Sequence, residues 1–93
     1  MWIKTNSYAI NLTETTYIKL EKSAPYIDEK GNLYCYYYIR FWRVMEDKAH
    51  NTGGTNILTV KYQSEDEQKK AYEQIFASML KNEPYVVIGG EVC

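Results

Sequence analysis

The stretch LYCYYYIRFWRV, residues 33–44, holds four tyrosines, one phenylalanine and one tryptophan in twelve residues. Aromatic residues favour strands, and alternate residues of a strand point to opposite faces of a sheet. One face of this strand is mainly apolar and carries Leu33, Cys35, Tyr37, Ile39, Phe41 and, at its end, Arg43. The other face carries Tyr34, Tyr36, Tyr38, Arg40, Trp42 and Val44. The pattern predicts a strand over residues 33–45 whose first face packs against a helix.

The segments on either side of this strand predict an antiparallel sheet. Apolar residues with period two indicate further strands at residues 8–12, 16–21 and 57–62. Residues 1–5 are apolar-rich and can form a strand, and residues 85–88 are a possible last strand. Residues 29–32 have hairpin chemistry, with Gly31 free to adopt a positive φ. Since consecutive strands joined by short turns usually pair antiparallel, we expect about five antiparallel strands.

A helix start at Ser64 is the clearest local signal. Ser64 is followed three residues later by Glu67, which makes a capping box, and acidic residues occupy the first turn. Residues at spacings of three and four make one predicted apolar face: Ala71, Tyr72, Ile75, Phe76, Met79 and Leu80. Pro84 should end the helix near residues 81–82. The predicted fold is a single α+β domain over residues 1–93, an antiparallel sheet of about five strands with one C-terminal amphipathic helix packed on one face.

Composition narrows the class of function. The net charge is −1, which argues against a general nucleic-acid binder, because such proteins carry a basic surplus. Cys35 and Cys93 are too few and too badly placed for a disulfide framework, and Cys35 reads as a small buried hydrophobe. Residues 2–6 turn polar at once, whereas a signal peptide would continue with an apolar segment. No apolar run approaches the roughly 20 residues that span a membrane. We therefore expect a cytoplasmic protein without membrane contact.

Two segments carry a resemblance. The opening MWIKTNSYAINLTETTYIKLEK and the later VKYQSEDEQKKAYEQIFASM are similar to those of small uncharacterised bacterial proteins with a pleckstrin-homology-like sheet and a C-terminal helix. The matching positions are Ile10, Asn11, Leu12, Ile18, Leu20, Tyr62, Ser64, Glu65, Glu67, Ala71 and Ile75. The resemblance covers about half of the chain and implies a fold but no activity. A phosphoinositide role does not follow from it, because the first hairpin has no basic cluster.

No residue pattern predicts an enzyme, a metal site or a cofactor site. His50, the only histidine, matches no zinc-ligand spacing. A catalytic Cys35 would need a nearby base and partial exposure, whereas its position in the strand points inward. Acidic residues at 28–29 and 46–47 could pair across a hairpin, but solvated turn residues are the commoner case. Residues 52–55, TGGT, lead into a strand rather than a phosphate-binding helix. We therefore predict no catalytic residues, no metal ligands and no cofactor.

The second face of the aromatic strand is the candidate binding site. We call the set Tyr34, Tyr36, Tyr38, Arg40 and Trp42 the aromatic face. Tyrosine, tryptophan and arginine are enriched at interface hot spots, whereas a plain solvent face would carry lysine, glutamate and threonine. Three interpretations stay open: cross-strand packing within the chain, binding of a protein partner or of a second copy in a twofold dimer, and stacking of single-stranded nucleic acid with phosphates on arginine. The favoured prediction is a non-catalytic protein-interaction module of adaptor or inhibitor type, with nucleic-acid binding as the alternative.

Overall fold

A computed structural model of the chain describes residues 1–14, 16–44 and 54–93. Within these ranges the chain forms nine strands and one helix, and the α+β class is confirmed. In chain order they are β1 (Trp2–Lys4), β2 (Ala9–Asn11), β3 (Thr16–Lys22), β4 (Tyr26–Ile27), β5 (Leu33–Tyr34), β6 (Tyr37–Val44), β7 (Gly54–Tyr62), α1 (Glu65–Leu80), β8 (Tyr85–Val87) and β9 (Glu91–Val92).

Four strands make the large sheet, in the order β3-β6-β7-β9, and each neighbouring pair is antiparallel. Period-two alternation turns Ile39 and Phe41 of β6 into the core, where both are fully buried. On β7 the same alternation buries Leu58, Val60 and Tyr62. Ile39 and Phe41 of the predicted apolar face therefore lie on the core face of the large sheet, whereas Leu33, on β5, is 70% exposed.

A second, small sheet has the order β2-β1-β8, in which β1 pairs antiparallel with β2 and parallel with β8. Backbone bonds extend the parallel pair, because Trp2 N donates to Pro84 O at 2.9 Å and Ile88 N donates to Lys4 O at 2.9 Å. Ile3, Val86 and Ile88 enter the same core cluster as the large sheet. The prediction of one antiparallel sheet of about five strands is thus wrong in strand count and arrangement, and the helix is not the only cover of the core.

The helix begins as predicted and ends one residue before the expected range. Ser64 Oγ accepts a hydrogen bond from Glu67 N at 3.2 Å, so Ser64 is the N-cap. The residues that α1 buries are Gln68, Ala71, Ile75 and Ser78. Of the predicted apolar face, Phe76, Met79 and Leu80 are instead exposed. The predicted face was too wide, because the buried stripe of the helix is narrow and combines Ile75 with small and polar side chains.

Gln68 explains part of the way in which the helix packs on the large sheet. It is buried, and its Nε2 donates to Glu21 O at 3.1 Å and to Tyr38 O at 2.8 Å. These carbonyls belong to residues that face each other on β3 and β6. A buried amide with both bonds made is stable in the core, whereas an unpaired one is costly. Gln68 therefore fixes the helix over one end of the large sheet.

The aromatic strand is interrupted, which corrects the predicted continuous strand at 33–45. β5 pairs with β4 in a two-stranded hairpin, and β6 starts only at Tyr37. Ser23 bridges the gap, because its N donates to Tyr36 O at 2.9 Å and its Oγ accepts from Tyr36 N at 2.8 Å. Gly31 in the hairpin turn has φ +81°, as expected. Residue 45 lies outside the described residues.

Candidate functional site

All five residues of the aromatic face lie along one side of the chain. Tyr38, Arg40 and Trp42 are on β6, on the side opposite to the buried residues. Tyr36 directly precedes β6, and Tyr34 ends β5. The break in the strand therefore leaves the five side chains in sequence along the outer side of the large sheet and its adjoining hairpin.

A cluster of three tyrosine rings forms one end of the aromatic face. Tyr26, Tyr34 and Tyr36 lie with ring centroids 5.6, 5.5 and 5.4 Å apart, one pair stacked and two edge-to-face. Such geometries are the preferred ones for aromatic pairs. Lys61 Nζ lies 4.6 Å from the Tyr36 ring centroid and 3.3 Å from the Glu91 carboxylate. The bond to Glu91 is the main reason that the pKa of Lys61 is raised.

Arg40 occupies the centre of the aromatic face. Its Nε forms an ion contact with Glu21 Oε2, although this N–H has no aligned hydrogen bond to a described residue. The guanidinium carbon lies 5.3 Å from the Tyr38 ring centroid, within cation–π range. Lys19 Nζ approaches the same glutamate at 3.4 Å. The register places these groups together, since Glu21 faces Tyr38 and Lys19 faces Arg40 across β3 and β6.

Trp42 and Tyr17 form the other end of the aromatic face. The two residues face each other across β6 and β3, and their rings are stacked with centroids 6.3 Å apart and an interplanar angle of 8°. Trp42 is half-buried, and its indole Nε1 is buried without a hydrogen-bond partner among residues 1–14, 16–44 and 54–93. Both ends of the face are thus ring pairs or clusters held in defined orientations.

Several contributors to this surface were not in the predicted set. Tyr17, Tyr26, Glu21 and Lys61 come from three other strands. Period-two alternation over residues 16–21 already groups Tyr17, Lys19 and Glu21 on one face. Which strand they would lie beside depends on pairing between β3 and β6, and a single sequence does not give that register.

The other candidate residues from the sequence, which are acidic residues, cysteines and the histidine, do not come together in a site among the described residues. Among residues 1–14, 16–44 and 54–93, no group of three or more His, Cys, Asp or Glu could hold a metal ion. Asp28 supports its own turn, because its Oδ1 accepts from Lys30 N at 2.9 Å and Asn32 N at 2.8 Å. Cys35 is half-buried and Cys93 exposed, both as free thiols. His50 and residues 46–47, 52 and 53 lie outside the described residues.

A cleft of about 420 Å³ lies between α1 and the Gly89-Gly90 turn. Tyr62 forms part of its lining and donates its hydroxyl to Gly89 O at 2.7 Å. Burial raises the pKa of Tyr62 to about 12. Gly90 has φ +105°, and a Cβ there would lie 2.5 Å from Val60 Cγ1. The turn therefore needs glycine to approach the core this closely.

In the part of the chain that the structure describes, no helix is long and apolar enough to cross a membrane. Comparisons with protein-family models, with curated proteins and with solved structures find no match to this chain. The pleckstrin-homology-like resemblance therefore stays a prediction.

Proposed function

We propose that this chain is a non-catalytic protein-interaction module that binds a protein partner through the aromatic face. The observation that supports this most is the fixed arrangement of rings on the outer side of the large sheet. Tyr36 is held by two neighbouring tyrosines and Trp42 by Tyr17. The core lies on the opposite side, so these rings are not needed to fill it.

Preorganised rings favour binding for an entropic reason. Association normally costs about 0.5–1.5 kcal/mol for each flexible side chain that it immobilises. Rings that already pack against each other lose little further freedom, and they bring large apolar areas with polar tips. Tyr17, Tyr26 and Tyr34 remain 45%, 46% and 39% exposed, so a partner has ring surface to cover. Tyrosine and tryptophan are also among the residue types enriched at interface hot spots, which supports the proposal.

The charges on this surface favour protein over nucleic acid. Arg40, Lys19 and Lys61 each lie beside a carboxylate, from Glu21 or Glu91. A single-strand binder uses cations along its groove to hold phosphates, in addition to stacking rings. Here those cations already have carboxylate partners, and phosphate would have to compete with the glutamates. Single-stranded nucleic acid is therefore the weaker candidate ligand. Its binding is tested in the same experiment as that of a protein partner.

The test compares proteins captured from native-host extract by the wild type and by three alanine variants. Tyr36→Ala and Trp42→Ala remove rings of the aromatic face, whereas Tyr8→Ala removes a tyrosine that is 61% exposed in the turn before β2. We expect a specific partner to be retained by Tyr8→Ala and lost by the other two. Truncation of a hot-spot ring costs about 2 kcal/mol or more, which is roughly a 30-fold loss of affinity when measured by titration calorimetry with the purified partner.

Equal capture by all four proteins, with folding verified by circular dichroism, would contradict the proposal. A labelled oligo-dT strand provides the second arm, measured by fluorescence anisotropy at low and moderate salt. Salt-dependent binding that disappears in Trp42→Ala would instead support the nucleic-acid alternative.

A further inference from the structure

Among the strands that the structure describes, β3 is at the edge of the large sheet, and its alternate backbone groups are directed away from the sheet. Ser23 N donates to Tyr36 O, so residue 23 points towards β6. In an antiparallel pair this direction alternates, so the odd residues of β3 bond to β6 and the even ones face the open edge. Thr16 N already donates to Thr13 O. Ile18, Leu20 and Lys22 therefore present N–H and C=O groups with no bond to another described residue.

We infer that a second copy of this chain pairs with this edge, β3 against β3, antiparallel about a twofold axis at Leu20. The open residues are symmetric about Leu20. In this register Leu20 faces Leu20 of the second copy, and Ile18 faces Lys22 of the second copy in both directions. Each of the three open residues then exchanges bonds with an open residue of the other chain. The exposed edge, which is otherwise a liability for uncontrolled pairing, becomes closed.

The side chains favour the same register. Lys19 of one copy lies directly opposite Glu21 of the other, twice, in the non-hydrogen-bonded positions where cross-strand side chains are closest. An axis at Lys19 would place Lys19 against Lys19. An axis at Ile18 would place Leu20 against Thr16, whose N–H is already bonded. Of these three registers, only the axis at Leu20 satisfies both the charges and the open backbone groups.

Burial at the axis also favours a second copy. Leu20 is 37% exposed, and its symmetry mate would cover it on the core side of the sheet. The product is a continuous eight-stranded sheet, because four strands from each copy join at β3. Both aromatic faces lie on the same side of that sheet and stay open. The inference thus goes beyond the proposed function, since it concerns the edge and leaves the aromatic face free for a partner.

The test measures oligomeric state by sedimentation equilibrium over a range of concentrations. Lys19→Glu replaces two opposite-charge contacts with two like-charge contacts, and we expect the dimer dissociation constant to rise roughly tenfold or more. Lys30→Glu makes the same charge change in the exposed hairpin turn and should leave the dimer unchanged. The dimer of the wild type should have twice the 11.0 kDa mass of the chain.

Leu20→Pro tests the backbone directly. Proline removes an N–H that faces the open edge, where edge strands tolerate proline, so the variant should fold and be monomeric. Lys19→Pro is the matched control. Residue 19 bonds to β6, so proline there removes a hydrogen bond within the sheet and should unfold the protein. A wild type that is monomeric at millimolar concentration would overturn the inference. So would a dimer that survives both Lys19→Glu and Leu20→Pro. A dimer that only Tyr36→Asp dissociates would overturn it too, because that result places the interface on the aromatic face.

Discussion

Ile75 and Phe76 are neighbours on α1, yet they occupy different environments. Ile75 is fully buried, whereas Phe76 is 42% exposed and packs edge-on against Tyr72 with ring centroids 4.7 Å apart. Successive helical residues are about 100° apart around the axis, so two neighbours cannot both lie at the centre of the buried stripe. Spacings of three and four admit both residues to one apolar face, and the predicted face is therefore too wide.

This difference predicts unequal effects of truncation. Ile75→Ala should lower the free energy of unfolding by about 2–5 kcal/mol, because it leaves a cavity in the core. Phe76→Ala should cost about 1 kcal/mol or less, since it removes a surface ring contact. Urea unfolding of the two variants beside the wild type measures both values. Equal losses would mean that the helix is rotated relative to the structure.

Tyr62 predicts a loss of stability at alkaline pH. Its pKa is about 12 in the folded protein, above the ordinary 10.0, because burial disfavours the phenolate. The unfolded chain therefore releases this proton first, and the stability contribution present below pH 10 is lost as pH rises towards 12. We expect the lost contribution to the free energy of unfolding to be about 1–2 kcal/mol. This is less than the full pKa shift implies, because Tyr62 borders an open cleft.

Tyr62→Phe separates this effect from the other tyrosines. The variant loses the hydroxyl bond to Gly89 at every pH, so its stability should differ from that of the wild type by a constant below pH 10. Between pH 10 and 11.5 the difference should shrink, as measured by urea unfolding at each pH. A constant difference over the whole range would show that Tyr62 titrates normally.

At the scale of elements, the helix start was predictable because its signal is local. A cap needs only Ser64 and the residues up to Glu67, and the structure shows the bond between them. The core face of β6 was predictable for the same reason, since period two is visible within one strand. The small sheet was predictable only as separate strands, because the sequence does not show that β1 pairs with β8 from the far end of the chain. Parallel pairing between distant segments has no local sequence signal.

The cap itself makes a stability prediction. Ser64→Ala should lower the free energy of unfolding by about 1 kcal/mol, because Glu67 N loses its acceptor. Ser64→Asp should retain most of the stability, since aspartate caps equally well and adds charge at the positive end of the helix. Urea midpoints of the two variants test this, and an unchanged midpoint in Ser64→Ala would mean that water replaces the cap without loss.

At the scale of the whole molecule, the described Cα atoms extend over 49 × 36 × 21 Å, so the protein is flat. The helix and the small sheet contribute to the core on one side of the large sheet, and the other side carries the aromatic face. The two-sided pattern of residues 33–44 predicted that division. It did not predict how tightly neighbouring strands would hold the exposed rings, because Tyr17, Tyr26 and Lys61 reach them only through tertiary pairing.

The parallel pair of β1 and β8 sets the order in which the protein can fold during its synthesis. Tyr85, the partner of Trp2, is added roughly eighty residues after it, about 4–16 s later at ordinary rates of translation. Throughout that interval Ile3, which ends fully buried, has neither Val86 nor Ile88 to cover it. Strands β3, β6 and β7 of the large sheet and then the helix are made before β8, whereas β9 follows β8. The small sheet therefore cannot close until β8 has been made, and Ile3 waits for that strand to complete its burial.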